Sequence, residues 1–187
     1  MARDIARLNF LRRALHWAGA IVVIGMVPAG LVFTDFDNRD SIEGAFGAGS
    51  FDALYNFHKS VGAVALALVA ARLAAALIWP APSHAGAIPA VQSAAARAMH
   101  VGLYALLVAT PILGWAGTSA YPAPLPVFGL FDLPGIVAPN RPVAEFLLAL
   151  HGTCAILLIA LVVLHVAAAL YHRNVRKDGV FARIALW

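Results

Sequence analysis

Apolar positions fall into four long runs, at about 11–33, 54–79, 94–119 and 143–171, each bounded by charge, Pro or Gly. A helix rises about 1.5 Å per residue, so roughly 20 mostly apolar residues cross a hydrocarbon layer ~30 Å thick. All four runs meet that length. Pro28 and Pro111 lie inside two of them, where a membrane helix tolerates Pro and can kink. The pattern shows no internal repeat, low-complexity tract or second domain. It predicts an all-α integral membrane protein: a four-transmembrane-helix bundle forming a single domain over 1–187, with 172–187 as a tail.

Composition narrows the alternatives. The chain is 62% hydrophobic and 12% charged, with a mean hydropathy of +0.83. A soluble domain of this size needs more charge to clothe its surface helices. One cysteine, Cys154, excludes an internal disulfide, a Cys-rich zinc site and an iron–sulfur cluster held by this chain alone. At i+3 from His151, it reads as packing. There is no CxxCH, so a haem would be held without thioether bonds. The first apolar run is as long as a full span and contains a histidine, unlike a cleaved signal peptide.

Charge sets an orientation. Arg3, Arg7, Arg12, Arg13, Arg97, Arg173, Arg176, Lys177 and Arg183 flank one side of the spans, whereas Arg39 and Arg141 are the basic residues of the loops opposite. The positive-inside rule then puts both termini in the cytoplasm. The formal charge of +4 is thus a topological signal, and no nucleic-acid partner is expected. The first outer loop, about 34–53, is acidic, with Asp35, Asp37, Asp40, Glu43 and Asp52 against Arg39. The second, about 120–142, is rich in Pro and Gly and reads as an ordered cap.

Of seven histidines, His16, His58, His100, His151 and His165 lie within apolar spans. An ionisable side chain inside a membrane is costly and marks function by default. Any one could serve an interhelical hydrogen bond; five in this arrangement favour a shared cofactor. His151 and His165 are 14 residues apart, which at ~100° per residue returns nearly to one face and at ~1.5 Å rise separates them by roughly 21 Å. Counting depth from each helix mouth pairs His58 with His151 on the outer side and His16 with His165 on the inner. Two such pairs suit two six-coordinate haem irons held in a bundle core. Zinc would take three or four protein ligands.

Other residues fit around those pairs with alternatives open. Gly19 and Gly62 share faces with His16 and His58 and would admit a porphyrin edge, or serve ordinary helix packing. His100, at inner depth with Gly114 14 residues on, reads as a propionate, quinone or proton partner, or as a structural hydrogen bond. His172, at the membrane exit, competes with His165 as inner ligand but matches the depth of His16 less well. His84, between Pro82 and Gly86, reads as solvated. Arg72 follows His58 by 14 residues; it would pair with a haem propionate at inner depth or snorkel. Lys59, next to the outer ligand, would attract an anionic substrate or snorkel to the headgroups. The stretch 174–187, which mixes cations with Val180, Phe181, Ile184, Leu186 and Trp187, would lie on the inner surface or dock a partner.

The segments ALHW (Ala14–Trp17), FHKSVG (Phe57–Gly62), GW (Gly114–Trp115), ALHG (Ala149–Gly152) and ALYHRNVRKDGVFARI (Ala169–Ile184) together resemble the bacterial cytochrome b561 family. Each motif alone is weak; their order and spacing over nearly the whole chain are specific. The resemblance implies a multi-pass protein of the bacterial inner membrane. It implies two b haems on His16, His58, His151 and His165 and electron exchange with a membrane quinone. It also makes superoxide oxidation coupled to ubiquinone reduction a candidate activity, although the acidic first loop opposes anion steering. The competing reading is a cytochrome anchor subunit that relays electrons between quinone and a partner dehydrogenase or hydrogenase. A histidine-lined metal transporter is disfavoured, because carboxylates and broken helices are scarce in the spans.

Overall fold

The computed structural model describes residues 2–33, 38–78 and 89–184, apart from the side chains of 2–8 and 183. Asp35, Asp37, His84 with Pro82 and Gly86, Leu186 and Trp187 lie outside the described residues, as do the side chains of Arg3, Arg7 and Arg183. The elements in chain order are α1 (Ala2–Val32), α2 (Asn38–Phe46), α3 (Ser50–Ile78), α4 (Ala90–Ala120), β1 (Pro126–Val127), β2 (Phe131–Asp132) and α5 (Arg141–Tyr171). A π-turn, His172–Arg176, continues α5, and a 3-10 turn, Phe181–Arg183, follows.

Among the described residues, four segments are long and apolar enough to cross a membrane: Asn9–Val32, Ser50–Ile78, Ala90–Ala120 and Arg141–Arg176. In hydrocarbon every backbone polar group must find its partner inside the segment, and a helix does this. Few side chains are buried, and large apolar ones such as Leu77 stand open to the surroundings. In water such a surface would drive association; against acyl chains it is the expected exterior.

The two closest packings are α4 on α5 and α1 on α3, with α3 against α4 joining them. Small residues set the α4–α5 seam. A Cβ built on Gly102 would meet Leu161 at 3.0 Å, one on Gly114 would meet His151 at 3.0 Å, and one on Gly117 would meet Leu148 at 2.8 Å. Numbers rise along α4 as they fall along α5, so the helices are antiparallel and approach through bare backbone. On the other side Phe33, just after α1, meets Phe51, Tyr55 and His58 of α3, with ring centroids at 5.3, 5.2 and 5.5 Å. Pro28 and Pro111 sit within α1 and α4.

Both loops at one end carry structure. The acidic loop folds into α2. Asn38 Nδ2 donates to Val32 O at 2.9 Å, and Arg39 bridges Glu43 at 3.0 Å and Asp52 at 2.7 Å. Those bridges offset part of the acidity that the sequence suggests. The second loop forms a two-stranded hairpin, with Pro126 opposite Asp132 and Val127 opposite Phe131. Ser60 fastens it to α3: its buried hydroxyl is 2.8 Å from Asn56 O, donates to Pro126 O at 2.9 Å and accepts from Phe128 N at 2.9 Å. Trp115 Nε1 donates to Pro134 O at 2.9 Å, closing the loop over α4.

At the opposite end the tail turns back. Lys177 adopts the left-handed conformation (φ 52°) that ends the π-turn, and Trp17 Nε1 donates to Ile184 O at 2.8 Å. The first five residues of the expected tail therefore continue α5. His172 Nδ1 lies 2.6 Å from Asp178 Oδ2, and Arg176 lies 3.4 Å from the same carboxylate. The hydrogen bond to His172 holds the Asp178 carboxyl below its usual pKa. A depressed carboxylate pKa stabilises the fold above the unfolded-chain value, and the gain disappears as pH falls through the folded value. Amide exchange of 179–184, corrected for intrinsic rates, should therefore be slow at neutral pH and fast in acid. In Asp178→Asn it should be fast at both.

Candidate functional site

Histidines meet near each end of the bundle, from two spans at one end and from three at the other. At the hairpin end, His58 of α3 faces His151 of α5, with ring centroids 6.2 Å apart and planes at 80°. At the tail end, His16 of α1 faces His165 of α5 at 6.2 Å and 65°. His100 of α4 is closer still to His165, at 5.5 Å. The tail-end site thus gathers three imidazoles. The two α5 members lie 14 residues, about 21 Å, apart along one helix.

His151 is held by the backbone. Its Nδ1 lies 2.8 Å from Thr110 O. A carbonyl can only accept, so Nδ1 carries the proton and Nε2 keeps its lone pair for a ligand. Gly114 makes this approach possible, because a Cβ there would stand 3.0 Å from Nδ1 and 3.1 Å from Cε1. His58 lacks such an anchor: its Nδ1 is buried without a hydrogen-bond partner. Its Cε1 lies 3.6 Å from the Cβ position of Gly30. The glycines expected beside the histidines, Gly19 and Gly62, have nothing within 4 Å of a built Cβ, so neither histidine ring abuts its glycine.

The remaining candidates are placed as follows. Arg72 lies over Tyr104, 5.4 Å from the ring centroid. Lys59 Nζ donates to Pro124 O at 2.8 Å and lies 4.7 Å from the centroid of Tyr55; its ammonium is engaged by the cap. His172 pairs with Asp178 and is not brought against His16. Cys154 is a free, half-buried thiol. Thr110, the one anchoring residue absent from the sequence reading, acts through its carbonyl, which no side-chain pattern advertises.

The donor set fits a haem. Two imidazole nitrogens on opposite sides of one metal, each at about 2.0–2.1 Å, leave ring centroids roughly 6 Å apart. Among the described residues, no group of three or more His, Cys, Asp or Glu side chains is placed to chelate a metal ion. Paired imidazoles suit a porphyrin, which would bring its own nitrogens and need only two ligands from the protein.

Comparison with known proteins decides the family. A family model described as prokaryotic cytochrome b561 matches residues 7–185. The chain belongs to the prokaryotic cytochrome b561 family. Cytochrome b561 homolog 2 of Escherichia coli (strain K12) is 32% identical over 178 residues, covering 95% of this chain and 90% of the relative. Cytochrome b561 homolog 1 of the same organism is 30% identical over 138 residues, covering 74% and 78%. Membership makes this chain a membrane cytochrome, with the haem b and the electron transfer that the family name implies.

Proposed function

We propose that this cytochrome b561 carries two b haems, one on His58 and His151 and one on His16 and His165, within a single dihaem unit that moves electrons across the bacterial inner membrane to or from quinone. The observation that carries the reading is the placement of two imidazole pairs at 6.2 Å near opposite ends of one bundle. When bound, haem b supplies reversible one-electron chemistry. The chain's work is to fix and tune. Thr110 O sets the tautomer of His151, Arg72 is assigned to a carboxylate of the inner porphyrin, and His100 lines the same side. The apolar helices keep water from both centres. Basic residues at the tail end put both termini in the cytoplasm, leaving α2 and the hairpin outside.

The specific reaction proposed is oxidation of superoxide by ubiquinone. Two superoxide anions each lose one electron and become dioxygen, while ubiquinone takes up two electrons and two protons and becomes ubiquinol. Lys59 is the cation nearest the outer pair in sequence, and Arg39 tempers the acidic loop.

The test is a reduced-minus-oxidised spectrum of the purified protein, with superoxide and then a short-chain ubiquinone as reagents. Haem bands reduced by superoxide and reoxidised by the quinone, well above background rates, are the expected result. Bands that answer to quinol and ignore superoxide would replace the superoxide reaction with a relay between quinone and a partner dehydrogenase or hydrogenase. A folded protein that takes up no haem when haem is supplied would overturn both.

A further inference from the structure

The hairpin carries an apolar tip at odds with its backbone. Phe128 and Gly129 have φ of 51° and 71°, and Leu130 N donates to Val127 O at 3.0 Å. Two central residues at positive φ make the tight hairpin turn that ordinarily selects Asn-Gly. A bulky aromatic at the first position is strained. The segment 126–131, PVFGLF, holds no charge. Leu130 is 80% exposed, Phe131 58% and Phe128 51%. Facing water, this tip would be costly in both backbone and surface.

Its depth accounts for the apolar surface. Ser60 and Lys59 fasten the hairpin to α3, and Phe128 meets Phe57 with ring centroids 6.3 Å apart. At 1.5 Å per residue the 29 residues of α3 run about 43 Å, so the helix overhangs a ~30 Å hydrocarbon layer by roughly 6–7 Å at each end. Phe57 is seven residues, about 10 Å, from the start of α3 and so stands at the edge of the hydrocarbon. Phe57 is itself 53% exposed. Ser60 lies about 160° around the helix from His58, which puts the hairpin on the face turned away from the paired histidines. Lys59 reaches up from this level to Pro124 O, as a snorkelling lysine does.

We infer that the β1–β2 hairpin is an interfacial foot, with Phe128, Leu130 and Phe131 seated among the headgroups and upper acyl chains of the leaflet at which α3 begins. Aromatic residues gather at this level of a bilayer, where one side is apolar and the other wet. The cap is thereby held by lipid as well as by α3.

The test uses the full chain in phosphatidylcholine nanodiscs, with Cys154→Ala as background and a polarity-sensitive fluorophore on Leu130→Cys. Phe131→Cys serves as a second site, and Asp40→Cys on α2 as the aqueous reference. Lipids bearing a nitroxide near the headgroup should quench the label at 130 and at 131 several-fold more than the label at 40, with blue-shifted emission. Iodide in the buffer should show the reverse order. Iodide quenching at 130 and 131 equal to that at 40 would overturn the inference. Protection from both quenchers would also overturn it, since the tip would then be covered by protein.

Discussion

His151→Ala and His58→Ala should each abolish the same haem component, and His16→Ala and His165→Ala should each abolish the other. A haem iron that loses one of two axial imidazoles becomes five-coordinate or leaves the protein, so the low-spin signal of that centre should vanish while the second persists. The measurement is low-temperature optical and electron paramagnetic resonance spectroscopy of each variant, with haem counted per chain. Loss of one component by His58→Ala and His16→Ala together would break the pairing. His100→Ala supplies a further control. His100 lies nearer His165 than His16 does, 5.5 against 6.2 Å. If His100→Ala removed the tail-end signal and His16→Ala spared it, His100 would be the axial ligand and His16 its neighbour.

Gly114→Ala should have the next largest effect, although the residue donates nothing. Its new methyl would lie 3.0 Å from His151 Nδ1, tighter than an ordinary van der Waals contact, with a ring and a backbone as the two sides. The ring must shift, and the 2.8 Å contact with Thr110 O must lengthen or break. Losing an outer partner of a metal-bound histidine costs about 10–100-fold in metal affinity. The hairpin-end haem should therefore dissociate about 10–100-fold more readily, with a changed midpoint potential, while the tail-end haem keeps its own. Gly25→Ala, with nothing within 4 Å of its Cβ, should leave both centres alone. A Gly114→Ala protein with unaltered potential and haem retention would show that Thr110 does not set the His151 ring.

The spans were legible because long apolar runs admit few other folds once water is excluded. The histidine faces were legible for a similar reason: a 14-residue spacing on a regular helix fixes direction and depth together. Loop structure was not. The nine residues of α2 are too short a stretch, inside a polar loop, to announce a helix. The hairpin places Phe128 where turn chemistry asks for Asn, so its best local cue points the wrong way. Glycine was less legible. Nothing lies within 4 Å of a built Cβ at Gly19 or Gly62, and the contacts with histidine rings belong to Gly30 and Gly114. Only packing between helices chooses among glycines on one face. Thr110 acts through a carbonyl that every residue owns, so nothing in its side chain could reveal it.

The share of α5 in both imidazole pairs also bears on how the protein is made. Each imidazole pair takes one member from an earlier helix and the other from α5, which follows the other three spans in the chain. A nascent chain with three helices in the bilayer would display unmatched histidines and no complete binding place. If the pairs hold haem as proposed, cofactor capture follows the insertion of α5, which completes both pairs in one step.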